Sequence, residues 1–253
     1  MFTKAIVRRP APTMINGLTA ANLGKPDFAL ALKQHAAYIE ALEFCGLEVS
    51  CLEAMPAFPD STFVEDVALL TPECAIITNP GALSRRGEIE GMRNLLEDHF
   101  EHIETIKPPG ALEAGDVMMV GSHFFIGLSG RTNQWGADQL MAHLQNYGLS
   151  GSVVELKEVL HLKTGVAYLE RNNLLACGEF LTHPDFQRFN ILPIDESESY
   201  AANCIWVNAT VLVPKGYPQA LKTIRNAGYD VLEVDVSEFR KLDGGLSCLS
   251  LRF

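Results

Sequence analysis

Asp66-Val-Ala-Leu-Leu-Thr-Pro-Glu-Cys-Ala-Ile-Ile-Thr78 reads as two short apolar strands joined by a tight turn at 71–73, and the spacing predicts a helix over 88–99 after it. The same unit recurs along the chain. Asp116-Val-Met-Met-Val120, a turn at 121–123 and Phe124-Phe-Ile-Gly127 form the second copy, followed by a predicted helix over 133–147. Gly165-Val-Ala-Tyr-Leu169, a turn at 170–172 and Asn173-Leu-Leu-Ala-Cys177 form the third, with a weaker segment behind it. Asn203-Cys-Ile-Trp-Val207 and Thr210-Val-Leu-Val213 form the fourth, with a helix over 218–227 that starts at a proline and stops before Gly228.

The fifth copy is split between the termini. Cys248-Leu-Ser-Leu-Arg252 supplies its first strand and Lys4-Ala-Ile-Val-Arg8 its second, with a helix over 27–44. Ala5-Ile-Val-Arg-Arg-Pro10 parallels Ala75-Ile-Ile-Thr-Asn-Pro80. Repeat starts at 66, 116, 165, 203 and 248 recur at the spacing of roughly 40 to 50 residues seen in repeat and propeller folds. Pairing of the terminal strands would close the ring and remove exposed sheet edges. The expectation is therefore a single α/β domain over 1–253, a five-bladed propeller closed by its N- and C-terminal strands. An open α/β sheet with hairpins is the alternative.

The 253 residues are 47% hydrophobic and 20% charged, a composition that builds a large core and is unlike that of disordered chains. The formal net charge of −11 disfavours nucleic acid and anionic membranes as partners and favours a cationic small molecule. No apolar run is long enough to span a bilayer, and no charged-then-apolar leader is present. The six cysteines, at 45, 51, 74, 177, 204 and 248, form no CxxC pair, and three lie inside apolar runs. A reducing, cytoplasmic compartment is expected. Outer helix faces such as 27–44 leave monomer and homodimer both open.

Polar residues cluster at the repeat starts: Asp66, Glu113 with Asp116, His161 with Thr164, Asn203, and Cys248. A ring would bring these equivalent positions to one end of its channel. Cys248 follows Gly244-Gly245, which permit a sharp turn and close approach to a ligand, and precedes an alternating apolar run. A lone cysteine is commonly a small core residue; with a histidine nearby it becomes a candidate nucleophile. Carboxylates beside a thiol oppose its ionisation but suit a planar cation, which they grip through paired hydrogen bonds. A bound guanidinium would offset their charge and favour the thiolate. The cluster thus points to a cysteine attacking a guanidinium carbon.

Five stretches carry a resemblance that covers the whole chain: Asn16-Gly-Leu-Thr19, Phe58-Pro-Asp-Ser-Thr-Phe-Val-Glu-Asp66, Leu112-Glu-Ala-Gly-Asp116, His161-Leu-Lys-Thr-Gly165 and Gly244-Gly-Leu-Ser-Cys248. In this order they resemble the dimethylarginine dimethylaminohydrolase family of the guanidino-group-modifying (pentein) superfamily, most nearly its compact bacterial form. The resemblance implies a five-bladed propeller of ββαβ units. It implies that Cys248 is the nucleophile, His161 the general acid and base, and Glu113 the carboxylate that grips and orients the guanidinium. Asp66 becomes the second carboxylate on the guanidinium. Asp60, with the backbone of Leu18, becomes the partner of the substrate's α-amino group. Arg85 and Arg131 become the clamp on its α-carboxylate, and Phe63 lines the pocket. The implied reaction converts methylated arginine to citrulline and an alkylamine through a covalent S-alkylthiouronium enzyme, without metal or organic cofactor.

Related chemistries give the rival readings. Arginine deiminases resemble the chain but carry an additional helical insertion, and they place an aspartate where Lys163 stands. Arg85 and Arg131 disfavour agmatine as substrate. Amidinotransferases share the covalent logic but are usually longer. Some five-bladed relatives are non-catalytic binding proteins; the Cys248, His161, Glu113 and Asp66 set and the acidic composition speak against that reading. A zinc site would have only Cys248 and His161 as ligands, too few for a structural metal.

Overall fold

A computed structural model describes residues 1–253. Fifteen strands follow in chain order: β1 (Lys4–Arg8), β2 (Glu48–Leu52), β3 (Ala68–Leu70), β4 (Ala75–Ile77), β5 (Ile103–Thr105), β6 (Val117–Val120), β7 (His123–Leu128), β8 (Ser150–Glu155), β9 (Val166–Tyr168), β10 (Asn173–Ala176), β11 (Asn190–Pro193), β12 (Ile205–Val207), β13 (Thr210–Pro214), β14 (Asp230–Val234) and β15 (Leu251–Arg252). They form five three-stranded sheets of one design. In each, the middle strand pairs antiparallel with one neighbour and parallel with the other; β4, for example, runs antiparallel to β3 and parallel to β5. The chain termini meet as the split repeat requires, with β1 antiparallel to β15 through Ala5 opposite Arg252 and Ile6 opposite Leu251.

The residues divide into two compact units, Met1–Val64 with Gly165–Arg252, and Glu65–Thr164 with Phe253. The first holds the sheets β15-β1-β2, β11-β10-β9 and β12-β13-β14; the second holds β3-β4-β5 and β6-β7-β8. In the first unit one core gathers Val7, Tyr38, Phe63, Leu212, Phe239 and Leu249. A separate core in that unit is built on Leu175, Ala202, Val213 and Ile224. The second unit is centred on Ile76, Leu112, Phe124, Ile126 and Leu140.

Two helices start at polar side-chain caps. Asp27 accepts the Leu30 N–H at 3.0 Å to begin α1 (Phe28–Phe44). The expected helix over 88–99 is shorter. A 3-10 turn at Leu83–Ile89 precedes α2 (Met92–Glu97), because Gly91 adopts φ of 78° and breaks the helical path. Asn133 accepts the Gly136 N–H at 2.9 Å and opens α3 (Gln134–Asn146). A single turn, α4 (Leu162–Gly165), follows His161. The third repeat carries only 3-10 turns, Gly178–Leu181 and Pro184–Phe186, in place of an α-helix. The fourth repeat has α5 (Pro218–Asn226), and α6 (Ser237–Arg240) follows β14.

One sequence expectation needs correction. Asp66, Asp116 and Cys248 do not open strands. They lie in 3-10 turns, Val64–Val67, Ala114–Asp116 and Ser247–Leu249, and the strands begin one to three residues later.

Candidate active site

In the unit Glu65–Thr164, five of the expected residues share one network. Glu113 is fully buried. Its Oε2 lies 2.8 Å from His161 Nε2, while Oε1 accepts the Ala82 N–H at 3.0 Å and sits 3.5 Å from Arg131 Nη1. The Glu113 N–H donates to Thr132 Oγ1 at 3.1 Å. Asp66 Oδ1 accepts the Gly115 N–H at 3.0 Å, and Oδ2 accepts Arg85 Nη1 at 2.6 Å. Gly115 has to be a glycine: a Cβ there would stand 2.8 Å from Asp66 Oδ1 and 3.2 Å from the His161 ring. Asp116 Oδ1 accepts the Leu162 N–H at 3.0 Å and Oδ2 accepts Ser129 Oγ at 2.7 Å, so the carboxylate fixes the turn that carries His161.

The electrostatics favour a cationic imidazole. Burial opposes charge on His161, but Asp66, the hydrogen bond to Glu113, and Asp116 outweigh it and push its pKa up to about 9. Burial likewise opposes the Asp66 anion, yet Arg85 and His161 overcome it and hold the carboxyl below its ordinary range. For Asp116 burial prevails and raises the carboxyl, against the pull of His161. The surrounding carboxylates thus favour the protonated ring at neutral pH.

Donor atoms of Asp66, Glu113 and His161 lie within 4.8 Å of one another, close enough to ligate a cation. Of these groups, Asp66 also pairs with the Arg85 guanidinium at 2.6 Å.

Arg85 is occupied differently from the sequence expectation of a substrate-carboxylate clamp. Its side chain is 5% exposed, with Nε 3.1 Å from both oxygens of Glu88, Nη2 2.8 Å from Glu88, and Nη1 on Asp66. Arg131 is the more open of the two arginines, with its side chain 22% exposed. Two supporting residues escaped the sequence reading. Glu88 lies three positions after Arg85, a helical-spacing signal, and Glu65 pairs with Lys163 at 2.6 Å, which nothing local announces.

In the unit Met1–Val64 with Gly165–Arg252, Asp60 Oδ1 accepts the Leu18 N–H at 2.8 Å, joining two of the expected residues. Leu18 itself is exposed. Phe63 is buried edge-on against Phe239, with ring centroids 6.3 Å apart, and a Cβ on Gly244 would overlap its ring. Cys248 is half-buried, and its Sγ accepts the Gly245 N–H at 3.4 Å. Tyr200 OH donates to Gly244 O at 2.7 Å and Tyr38 OH to Leu246 O at 2.9 Å, so the backbone of the 244–248 loop is tied down on both sides. All six cysteines are free thiols.

Five like three-stranded sheets are the five-repeat α/β architecture of the guanidino-group-modifying (pentein) class. No protein-family model matches the chain. A curated N(G),N(G)-dimethylarginine dimethylaminohydrolase of Pseudomonas aeruginosa is 58% identical over the full length of both chains. One from Streptomyces coelicolor is 36% identical over 98% of this chain and 96% of its own. The crystal structure of a cysteine-to-serine variant of the Pseudomonas aeruginosa enzyme, complexed with citrulline, superposes over the whole of both chains with a TM-score of 0.99 at 57% identity. The chain belongs to the dimethylarginine dimethylaminohydrolase family. No helix is long and apolar enough to cross a membrane.

Proposed function

We propose that the protein hydrolyses N-methylated arginines, asymmetric dimethylarginine foremost, to citrulline and dimethylamine or methylamine. The observation that carries this reading is the buried set of Glu113, His161 and Asp66, two carboxylates and a proton-bearing imidazole suited to a planar cation. Family membership supports it, as does the citrulline held by the Pseudomonas aeruginosa relative.

In this reading Cys248 thiolate bonds to the guanidinium carbon and gives a tetrahedral intermediate. The C–N bond to the methylated nitrogen breaks as His161 gives that nitrogen its proton, and dimethylamine leaves an S-alkylthiouronium enzyme. Neutral His161 then takes a proton from water as the hydroxide adds to the same carbon. The C–S bond then breaks with the sulfur leaving as thiolate, the hydroxyl proton passes to solvent, and citrulline departs. Glu113 keeps the imidazole oriented and grips the guanidinium with Asp66. Asp60 and Leu18 take the α-amino group, Arg131 the α-carboxylate with Arg85 behind Asp66, and Phe63 packs beside the reacting end.

The same reading takes 1–253 as one catalytic domain and the five sheets as blades of a closed five-bladed propeller, supported by their common strand order and the β1–β15 pairing. It needs no metal or cofactor, and places the enzyme in the cytoplasm as a monomer or homodimer. The free thiols support a reducing compartment.

Citrulline release from asymmetric dimethylarginine and from arginine, measured side by side with Cys248→Ser as control, tests the proposal. Turnover of the methylated substrate, abolished in the variant, is expected. Turnover of arginine alone would move the enzyme to the deiminases.

A further inference from the structure

Three backbone bonds obey one rule. Asp66 accepts the N–H of Gly115, on the turn that follows Glu113; Asp116 accepts the N–H of Leu162, next to His161; Asn203 accepts the N–H of Ser247, next to Cys248, at 2.9 Å. Each acceptor stands at a repeat start, and each bond reaches a turn carrying a residue of the proposed chemistry. The third member is an amide where the others are carboxylates. Its orientation is unambiguous, because the Ser247 N–H can only donate and so faces Oδ1, leaving Nδ2 to donate to Ser247 Oγ at 3.1 Å.

Asn203 also supports the other side of the loop. A Cβ on Gly245 would stand 2.5 Å from Asn203 Cγ, so the loop closes directly onto the amide. Gly245 donates its N–H to Cys248 Sγ, and Ser247 Oγ lies 3.9 Å from the same sulfur. Both groups that touch the sulfur through these bonds thus rest on one buried side chain. We infer that Asn203 is a positioning residue for the nucleophile, holding the 244–248 loop so that the Gly245 N–H points at the sulfur. An uncharged acceptor is suited to this place: the carboxylates used elsewhere accompany a cationic imidazole, whereas a negative charge beside a thiolate would oppose its formation.

This inference rests on Cys248 being the nucleophile, and the experiment separates the two. Asn203→Ala, Asn203→Asp and Cys248→Ser are compared with the parent enzyme for kcat and KM of citrulline release from asymmetric dimethylarginine. Cys248 alkylation by iodoacetamide, located by peptide mapping, is followed against pH. Asn203→Ala is expected to lower kcat by about tenfold or more with KM within about twofold, because the loop loses its alignment and not its ligand contacts. Asn203→Asp keeps the bond to the Ser247 N–H but adds charge, so the alkylation midpoint should rise by about one pH unit. A parent-like kcat in Asn203→Ala, or an unmoved alkylation midpoint in Asn203→Asp, would overturn the inference. So would a loss in Asn203→Ala that follows its loss of folded protein by circular dichroism. Turnover surviving in Cys248→Ser would instead overturn the assignment of the nucleophile, and the inference with it.

Discussion

His161 Nε2 and Glu113 Oε2 meet at 2.8 Å, and the carboxylate of that pair is wholly withdrawn from solvent. The imidazole holds its proton more tightly in the folded protein than in the unfolded chain, about 9 against 6.5. Because the folded value is the higher, the stability gained from the charged ring is complete below about pH 6.5 and is lost as the pH rises through about 9. Urea unfolding across this window should show a fall of about 1–3 kcal/mol. Glu113→Gln should flatten that fall and move the basic limb of the kcat profile to lower pH. An unchanged limb in the variant would deny Glu113 its role in setting the proton affinity of the ring.

Arg85 bridges Asp66 and Glu88 with its whole guanidinium buried. Arg85→Ala leaves two buried carboxylates without their cation and should cost about 3–5 kcal/mol of stability. Arg85→Lys keeps the charge but loses the fork, and should recover only part of it. If Arg85 serves mainly to hold Asp66, the lysine variant will lose kcat more than it raises KM. A rise in KM alone would return Arg85 to direct contact with the substrate carboxylate.

Lys163 and Glu65 form a second ion pair, 2.6 Å long, two residues after His161 and one before Asp66. Lys163→Met strands the Glu65 carboxylate and should destabilise by about 2–4 kcal/mol, somewhat less than a fully buried pair because the lysine keeps some exposure. Glu65→Leu combined with Lys163→Met should recover most of that loss, since neither charge is then left unpaired. Additive losses in a double-mutant cycle would show that the two groups are not coupled.

Gly244 lies against the Phe63 ring with no room for a methyl group. Gly244→Ala should destabilise by about 1–3 kcal/mol through overpacking and displace the Cys248 loop, with turnover falling accordingly. Phe63→Leu in the same chain should restore stability in part. If it restores nothing, steric conflict at Phe63 is not the cause.

Much of the architecture was legible locally. Alternating apolar pairs around turns marked ten of the strands, and the starts of the helices at Asp27 and Asn133 fell where the structure places their caps. The third strand of each sheet, such as β5 or β8, was known only through family resemblance: these strands are short or half-exposed, and their parallel partners lie a helix away in sequence. The turns holding Asp66, Asp116 and Cys248 read as strand starts because the apolar run begins beside them, and a pattern of period two does not show where the ladder bonds stop.

From the sequence alone came the fivefold repeat, the meeting of the termini and the family, since each rests on residue types in a fixed order. Tertiary structure alone decided which polar groups pair. Arg85 with Asp66, Lys163 with Glu65 and Asn203 with Ser247 join positions 19 to 98 residues apart. Among 31 acidic and 20 basic residues many pairings satisfy the composition equally. Only distance and burial select one, because attraction between charges becomes large where water is excluded and the groups are held within hydrogen-bonding reach.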